Sequence, residues 1–232
     1  MLFLRRQSAL TSLRWQPSSE RRSRAPMTGP VQQLSPESSS GYCHGHPVRW
    51  HWQPHAAGDA AEPLARAWLA AQLGVAAGAL ALARDDRGRP RLDGPHAGHD
   101  CNWSHSGDGL LLALGEGVRV GADLERIRQR PRAQALAERY FTAQEARWLA
   151  MSAATDRDRD RAFVRLWCAK EAVLKAHGHG LSFGLHRLRF ESDGDALHLA
   201  ACDPALGTPA SWSLREFEPA PGYSAALAWR SR

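Results

Sequence analysis

Lysine is almost missing from this 232-residue chain. Of its 30 basic residues only Lys170 and Lys175 are lysines, and the other 28 are arginines. Long apolar runs are missing too. None approaches the ~20 residues that a membrane-spanning helix needs, which excludes a helical membrane protein and predicts a soluble chain with no membrane partner. Cysteine is sparse: Cys43, Cys101, Cys168 and Cys202 stand far apart with no C-x-x-C. That spacing argues against a zinc ribbon and a disulfide framework and fits a reducing cytoplasm, the expected location. There is no Walker A and no G-x-G-x-x-G, which disfavours nucleoside-triphosphate and dinucleotide enzymes. Ser104-His105 invites a hydrolase reading, but no G-x-S-x-G elbow and no acid partner accompany it.

What charge there is lies unevenly. The chain carries +6. Residues 1–40 hold six arginines against Glu20 and Glu37, a net of +4, which leaves +2 for the rest. A nearly neutral folded part weakens a nucleic-acid reading, and no nucleic-acid partner is expected. The arm is rich in Ser, Pro, Gln and Arg and reads as disordered over residues 1–44, with Met27 as an alternative start. His44-Gly-His46 and His177-Gly-His179 read as loop residues rather than metal ligands, since neither has a third ligand nearby.

The remainder, with 43% hydrophobic residues overall, can bury one large core or two smaller ones. Val48–Trp52 alternates like a strand and Pro63–Leu73 reads as a helix stopped by Gly74. Ala79–Arg84 is strand-like, and residues 85–90 form a charged turn. Leu110–Leu114 and Val118–Glu125 predict a hairpin across residues 115–117. After Pro131 come a helix over Arg132–Tyr140, a capping box at Thr142-Ala-Gln-Glu145, a long helix over about Asp158–Ala176, and four strands near 185–191, 197–202, 211–217 and 223–229. The expected fold is α+β: two pseudo-repeated lobes, residues 45–130 and 131–232, each a helix on a mainly antiparallel sheet, with the active-site groove between them.

Three short stretches carry chemistry. In the long helix Glu171 and Lys175 are four apart and share a face. An ammonium is a compact charge that can give up a proton, which guanidinium cannot do, and both ammonium groups of the chain fall in this one window. In Gly121-Ala-Asp-Leu-Glu125 the strand period puts Asp123 and Glu125 on one face. Two carboxylates so placed repel unless a cation sits between them, and carboxylate oxygens suit Mg²⁺. In Cys101-Asn-Trp-Ser-His-Ser-Gly107, read as a loop leading to a strand, Ser104 and His105 can donate to a phosphate, and Asn102 braces the loop.

The ordered set N-x-S-H-S, G-x-D-x-E, W-x-x-K-E-x-x-x-K resembles the 4′-phosphopantetheinyl transferases, in their long two-lobed, Sfp-type form. The resemblance runs from about Arg66 to the end of the chain. It implies an Mg²⁺-dependent enzyme, with Mn²⁺ as an alternative ion, that moves 4′-phosphopantetheine from coenzyme A to a serine of an apo acyl or peptidyl carrier protein and releases 3′,5′-ADP. By the same resemblance Asp123, Glu125 and Glu171 bind the metal. Glu171 is the general base, Lys175 contacts the coenzyme A phosphates and assists the leaving group, and Ser104 and His105 bind phosphate. Gly88-Arg89-Pro90 matches a segment that is usually Gly-Lys-Pro, so Arg89 and Pro90 are expected at the coenzyme A. Arg66 matches a basic position near the nucleotide. Ala70, Ala71 and Gln72 replace basic residues common on that helix. A monomer is implied. The alternative is a non-catalytic protein that binds coenzyme A or a carrier protein.

Overall fold

The structure is a computed structural model and describes residues 39–43, 47–152, 154–193 and 196–232. Residues 1–38 of the expected arm and His44–His46 lie outside the described residues. The chain adopts the α+β class, with antiparallel sheets and four α-helices among the described residues.

The first sheet has the order β1-β2-β6-β5, formed by Ser39–Tyr42, Val48–Pro54, Gly109–Glu116 and His99–Ser106. Two short strands, β3 (Leu82–Arg84) and β4 (Pro90–Leu92), pair across the charged turn. The helix α1 (Ala61–Leu73) buries Ala65, Leu69 and Ala70 and ends on Gly74, which takes the left-handed conformation (φ 68°) that favours glycine. A second sheet has the order β10-β11-β7: Ser213–Phe217, Tyr223–Ser231 and Val118–Arg126. β8 (Leu188–Asp193) pairs with β9 (Ala196–Cys202).

Three sequence expectations need correction. Ser39–Tyr42, assigned to the disordered arm, pairs with Arg49–Trp52 as β1. The hairpin across residues 115–117 does not form a ladder. Both edges of β6 are taken, by β2 and β5, so the chain turns at Gly117 (φ 67°) and β7 pairs antiparallel with β11 along its whole length. A strand of the segment expected to form the first lobe therefore lies in a sheet with strands from beyond residue 131. Residues 101–106 are a strand, not a loop. The face of β5 turned toward β7 carries the polar Asp100, Asn102, Ser104 and Ser106, so no apolar alternation marks it.

The core lies around the long helix α4 (Asp156–His177), which packs on β7 and β11 and against α2 (Ala133–Tyr140) and α3 (Ala143–Ser152). Thr155 caps it in a reciprocal box with Asp158 (Asp158 N to Thr155 Oγ1, 3.2 Å; Thr155 N to Asp158 Oδ2, 3.1 Å). Asp156 and Asp158 in its first turn and Lys175 in its last suit the helix dipole. The apolar stripe of Phe163, Leu166, Val173 and Leu174 is buried. Trp167 is half-buried, its ring tilted against those of Phe141 and Phe163.

Lys170 is 0% exposed. Its ammonium pairs with Glu145 of α3 at 2.8 Å and donates to the carbonyls of Leu185 and Leu188, with the Phe141 ring 5.1 Å away. Burial pulls its pKa down to about 8, against the pull of Glu145. Glu145 thus does more than complete the Thr142 box (Thr142 N to Glu145 Oε2, 2.9 Å): its other oxygen also accepts from Phe190 N at 2.8 Å. One of the two lysines is therefore an internal tie between α4, α3 and the entry to β8. Lys170→Ala strands a buried carboxylate and two carbonyls, and a loss of about 3–5 kcal/mol is expected in chemical denaturation. A loss below about 1 kcal/mol would show that the tie is idle.

Candidate active site

Polar side chains of β5 reach across to β7, which belongs to the other sheet. Asp100 Oδ2 accepts from Val120 N (2.8 Å), Asn102 Oδ1 from Ala122 N (3.0 Å) and Ser106 Oγ from Arg126 N (3.1 Å). These bonds replace a backbone ladder and satisfy buried amides that would otherwise be stranded. Asn102 therefore braces β7. Side chain also meets side chain: Ser104 Oγ donates to Asp123 Oδ1 at 2.9 Å and Ser106 Oγ to Glu125 Oε2 at 3.2 Å.

α4 closes the third side because Gly121 lets it. A Cβ on Gly121 would stand 2.0 Å from the Ala172 carbonyl oxygen and 2.5 Å from Ala176 N. That close approach brings Lys175 Nζ to Asp123 Oδ1 (2.6 Å) and Ser104 Oγ (3.0 Å), with Glu171 Oε2 3.7 Å away. Ser104, Asp123, Glu171 and Lys175, from three elements far apart in sequence, form one cluster. Asp123 is 3% and Glu171 7% exposed, and the Lys175 side chain keeps 15%.

Glu125 stands at the edge of the cluster, held by Arg130 Nη2 (2.6 Å) and Ser106 Oγ (3.2 Å). Sequence reasoning missed Arg130 and Ser106, although the second serine of S-H-S sits one strand repeat beyond Ser104. His105, near the end of β5, is itself exposed, its ring 5.4 Å from that of His55. Burial, then His55 and Lys175, lower its pKa.

The site is short of positive charge. Burial first, then Asp123 and Glu125, push Glu171 up to about 8, against Lys175. Burial and Asp123 also raise Glu125, against Arg130. Burial pulls Lys175 down, but Asp123 and Glu171 outweigh it and hold its pKa above the ordinary value. Asp123 Oδ2 is buried with no hydrogen-bond partner. Three crowded carboxylates, one with an orphaned oxygen, fit a divalent cation, whose hard oxygen ligands these are. Among the described residues, no group of three or more His, Cys, Asp or Glu side chains stands ready as a metal cage. Lys175 and Arg130 hold the carboxylates instead.

Two predicted phosphate ligands make their bonds to protein groups. Every N–H of Arg89 is spent on protein: Nε on Lys175 O (3.0 Å), Nη1 on Asp100 Oδ1 (2.8 Å) and Pro90 O (3.2 Å), Nη2 on Asp100 Oδ2 (2.5 Å) and Val120 O (2.8 Å). No N–H of Arg89 is left over in this arrangement, and Pro90 is buried at the start of β4. Arg66 donates to Leu80 O (2.7 Å) and Leu82 O (3.4 Å) with Glu62 3.8 Å away, and no contact joins it to the cluster. Arg66 thus ties α1 to Leu80 and to the first residue of β3.

Comparison with known proteins points to the same family. A family model for the 4′-phosphopantetheinyl transferase superfamily matches residues 119–228, the span that holds Asp123, Glu125, Glu171 and Lys175. The 4′-phosphopantetheinyl transferase HetI of a Nostoc species is 32% identical over 166 residues, 70% of this chain and 66% of HetI. The chain belongs to the 4′-phosphopantetheinyl transferase superfamily. Other relatives in the superfamily include the phosphopantetheinyl transferase of a Thraustochytrium species (30% over 166 residues, 67% of this chain, 58% of the relative). The 4′-phosphopantetheinyl transferase psf-1 of Bacillus pumilus matches more narrowly, at 40% over 97 residues, 41% of this chain and 40% of the relative. The chain thus spans two thirds or less of the length of each of these transferases. Among the described residues no helix is long and apolar enough to cross a membrane.

The charge shortage has a measurable consequence. Because the folded site holds the proton on Glu171 up to about pH 8 whereas an unfolded glutamate releases it near 4.5, the folded state binds more protons across that window. Stability must then fall as pH rises from 5 to 8, by on the order of 3 kcal/mol. Melting temperature followed against pH in chelator should show this fall. Mg²⁺ should flatten it, and so should Glu171→Gln. A flat profile in chelator would mean that the carboxylates do not crowd as described.

Proposed function

We propose that the chain is a 4′-phosphopantetheinyl transferase that moves phosphopantetheine from coenzyme A to a serine hydroxyl of an apo acyl or peptidyl carrier protein and releases 3′,5′-ADP. The observation that carries this reading is the convergence of Lys175 and Ser104 on Asp123, with Glu171 beside them.

Asp123, Glu125 and Glu171 would hold Mg²⁺, or Mn²⁺ in its place. Bound there, the cation would neutralise charge on the diphosphate of coenzyme A. The residues of the chain do the rest. The Lys175 ammonium, whose proton Asp123 and Glu171 hold, would donate to phosphate oxygens. Ser104 and the exposed His105 add donors from β5. Glu171, in its ionised form, takes the proton of the attacking serine. The serine oxygen bonds to the β-phosphorus, the bond from that phosphorus to the oxygen of 3′,5′-ADP breaks, and Lys175 stabilises the charge on the leaving phosphate. Exposed arginines between residues 126 and 147, among them Arg128, Arg132, Arg139 and Arg147, supply positive charge for an acidic carrier protein.

Intact-mass measurement of apo carrier protein incubated with the chain, coenzyme A and Mg²⁺ decides the matter. A shift by one phosphopantetheine supports the proposal. Unchanged carrier, across acyl and peptidyl carriers and with the chain demonstrably folded, removes it and leaves a non-catalytic binding protein.

A further inference from the structure

Arg89 touches every element that carries the cluster. Through Asp100 it holds β5, four residues before Ser104. Through the Val120 carbonyl it holds β7, three residues before Asp123. Through Nε it holds the carbonyl of Lys175 itself, on α4. The Lys175 carbonyl is one of the last four of the helix, which have no intrahelical donor. Asp100 returns a bond to Val120 N, so the same strand step is gripped at both its N–H and its neighbouring C=O. Arg119 and Arg232 stand 3.9 and 4.0 Å from Asp100 and share its charge, but no bond takes either to Lys175.

We propose that Arg89 is a positioning residue: its planar fork locks α4, β5 and β7 together and so sets where the Lys175 ammonium stands against Asp123 and Ser104. A guanidinium makes five bonds in one plane, whereas an ammonium at the same place makes at most three and cannot bridge carboxylate, strand and helix end together. The resemblance to Gly-Lys-Pro places a phosphate ligand here, and the two roles make opposite forecasts. The kinetic part of the test rests on the transferase reading; the spectroscopic part does not.

Because the chain has two lysines, protein labelled with ¹³C at lysine Cε gives two side-chain signals, assigned by the loss of one in Lys175→Arg. In Arg89→Lys and Arg89→Met at fixed pH, the Lys175 signal is expected to move and that of Lys170, tied to Glu145, to stay. With wild-type transfer established, both variants should lose between about tenfold and a hundredfold in kcat, with KM for coenzyme A within about twofold and no rescue by lysine. A raised KM with kcat intact, rescue by Arg89→Lys, or an unmoved Lys175 signal overturns the proposal. Should Arg89→Met not fold, Asp100→Asn, which keeps the size and one acceptor oxygen, carries the same readouts, and an unmoved Lys175 signal there is equally decisive. If the wild type does not transfer at all, the function proposed above fails, and the two lysine signals still decide whether Arg89 positions Lys175.

Discussion

Asp123→Ala is expected to lower transfer by about a thousandfold or more without weakening the fold. The rate follows from what Asp123 touches. It is the residue on which Ser104 and Lys175 converge, and it carries the unpartnered oxygen most in need of a cation. A metal that neutralises phosphate charge is worth several kcal/mol at the transition state, and each 1.36 kcal/mol is a factor of ten. Stability should move the other way. Asp123 helps raise Glu171 and Glu125, so its removal lowers the pKa of both and relieves repulsion. The variant should therefore melt at or above the wild-type temperature near pH 8 in chelator, and its pH profile should be flatter. Lys175→Ala makes a contrasting case. It should abolish transfer too, but it leaves three carboxylates facing one another, so it should melt lower at pH 8, and Mg²⁺ should restore the melting temperature without restoring the rate. Near wild-type turnover in either variant refutes the role given to that residue. Functional sites often hold such stability in reserve.

The cluster could be read in the sequence where the physics is local. The i,i+4 spacing of Glu171 and Lys175, the strand period that pairs Asp123 with Glu125, and the Thr142 box each depend on a few neighbouring residues. Contacts made over long separations were not legible. β5 escaped notice because its inward residues bond to β7 rather than pack against it, so a buried strand looks like a polar loop. β7 left β6 because β6 had no free edge, a fact about β2 and not about the turn. The rarity of lysine drew attention to the right helix but gave one signal for two roles: Lys175 faces the carboxylates, whereas Lys170, five residues earlier and on another face of the helix, ties α4 to Glu145. Arg89 shows the same limit from the other side. Its place in a basic motif suggested a phosphate, and only the positions of Asp100, Val120 and Lys175 reveal that its donors are already spent.

Gly121→Ala tests the close approach on which the cluster depends. A methyl group there would have to sit 2.0 Å from a carbonyl oxygen and 2.5 Å from a backbone nitrogen of α4. Neither atom is the end of a side chain that can swing aside, so the helix must withdraw from β7 by about an ångström. Overpacking of this kind costs typically 1–3 kcal/mol and more where backbone resists; about 3 kcal/mol is expected in urea denaturation. The effect on transfer should be larger. Lys175 and Glu171 ride on the displaced helix while Asp123 and Ser104 stay on their strands, and an ångström of misplacement can cost a hundredfold in rate. Gly78, whose added Cβ would meet nothing within 4 Å, serves as the control, with Gly78→Ala expected within about 0.5 kcal/mol of wild type. Should Gly121→Ala keep both its stability and its rate, α4 does not lie on β7 as closely as described, and the 2.6 Å contact between Lys175 and Asp123 has no support.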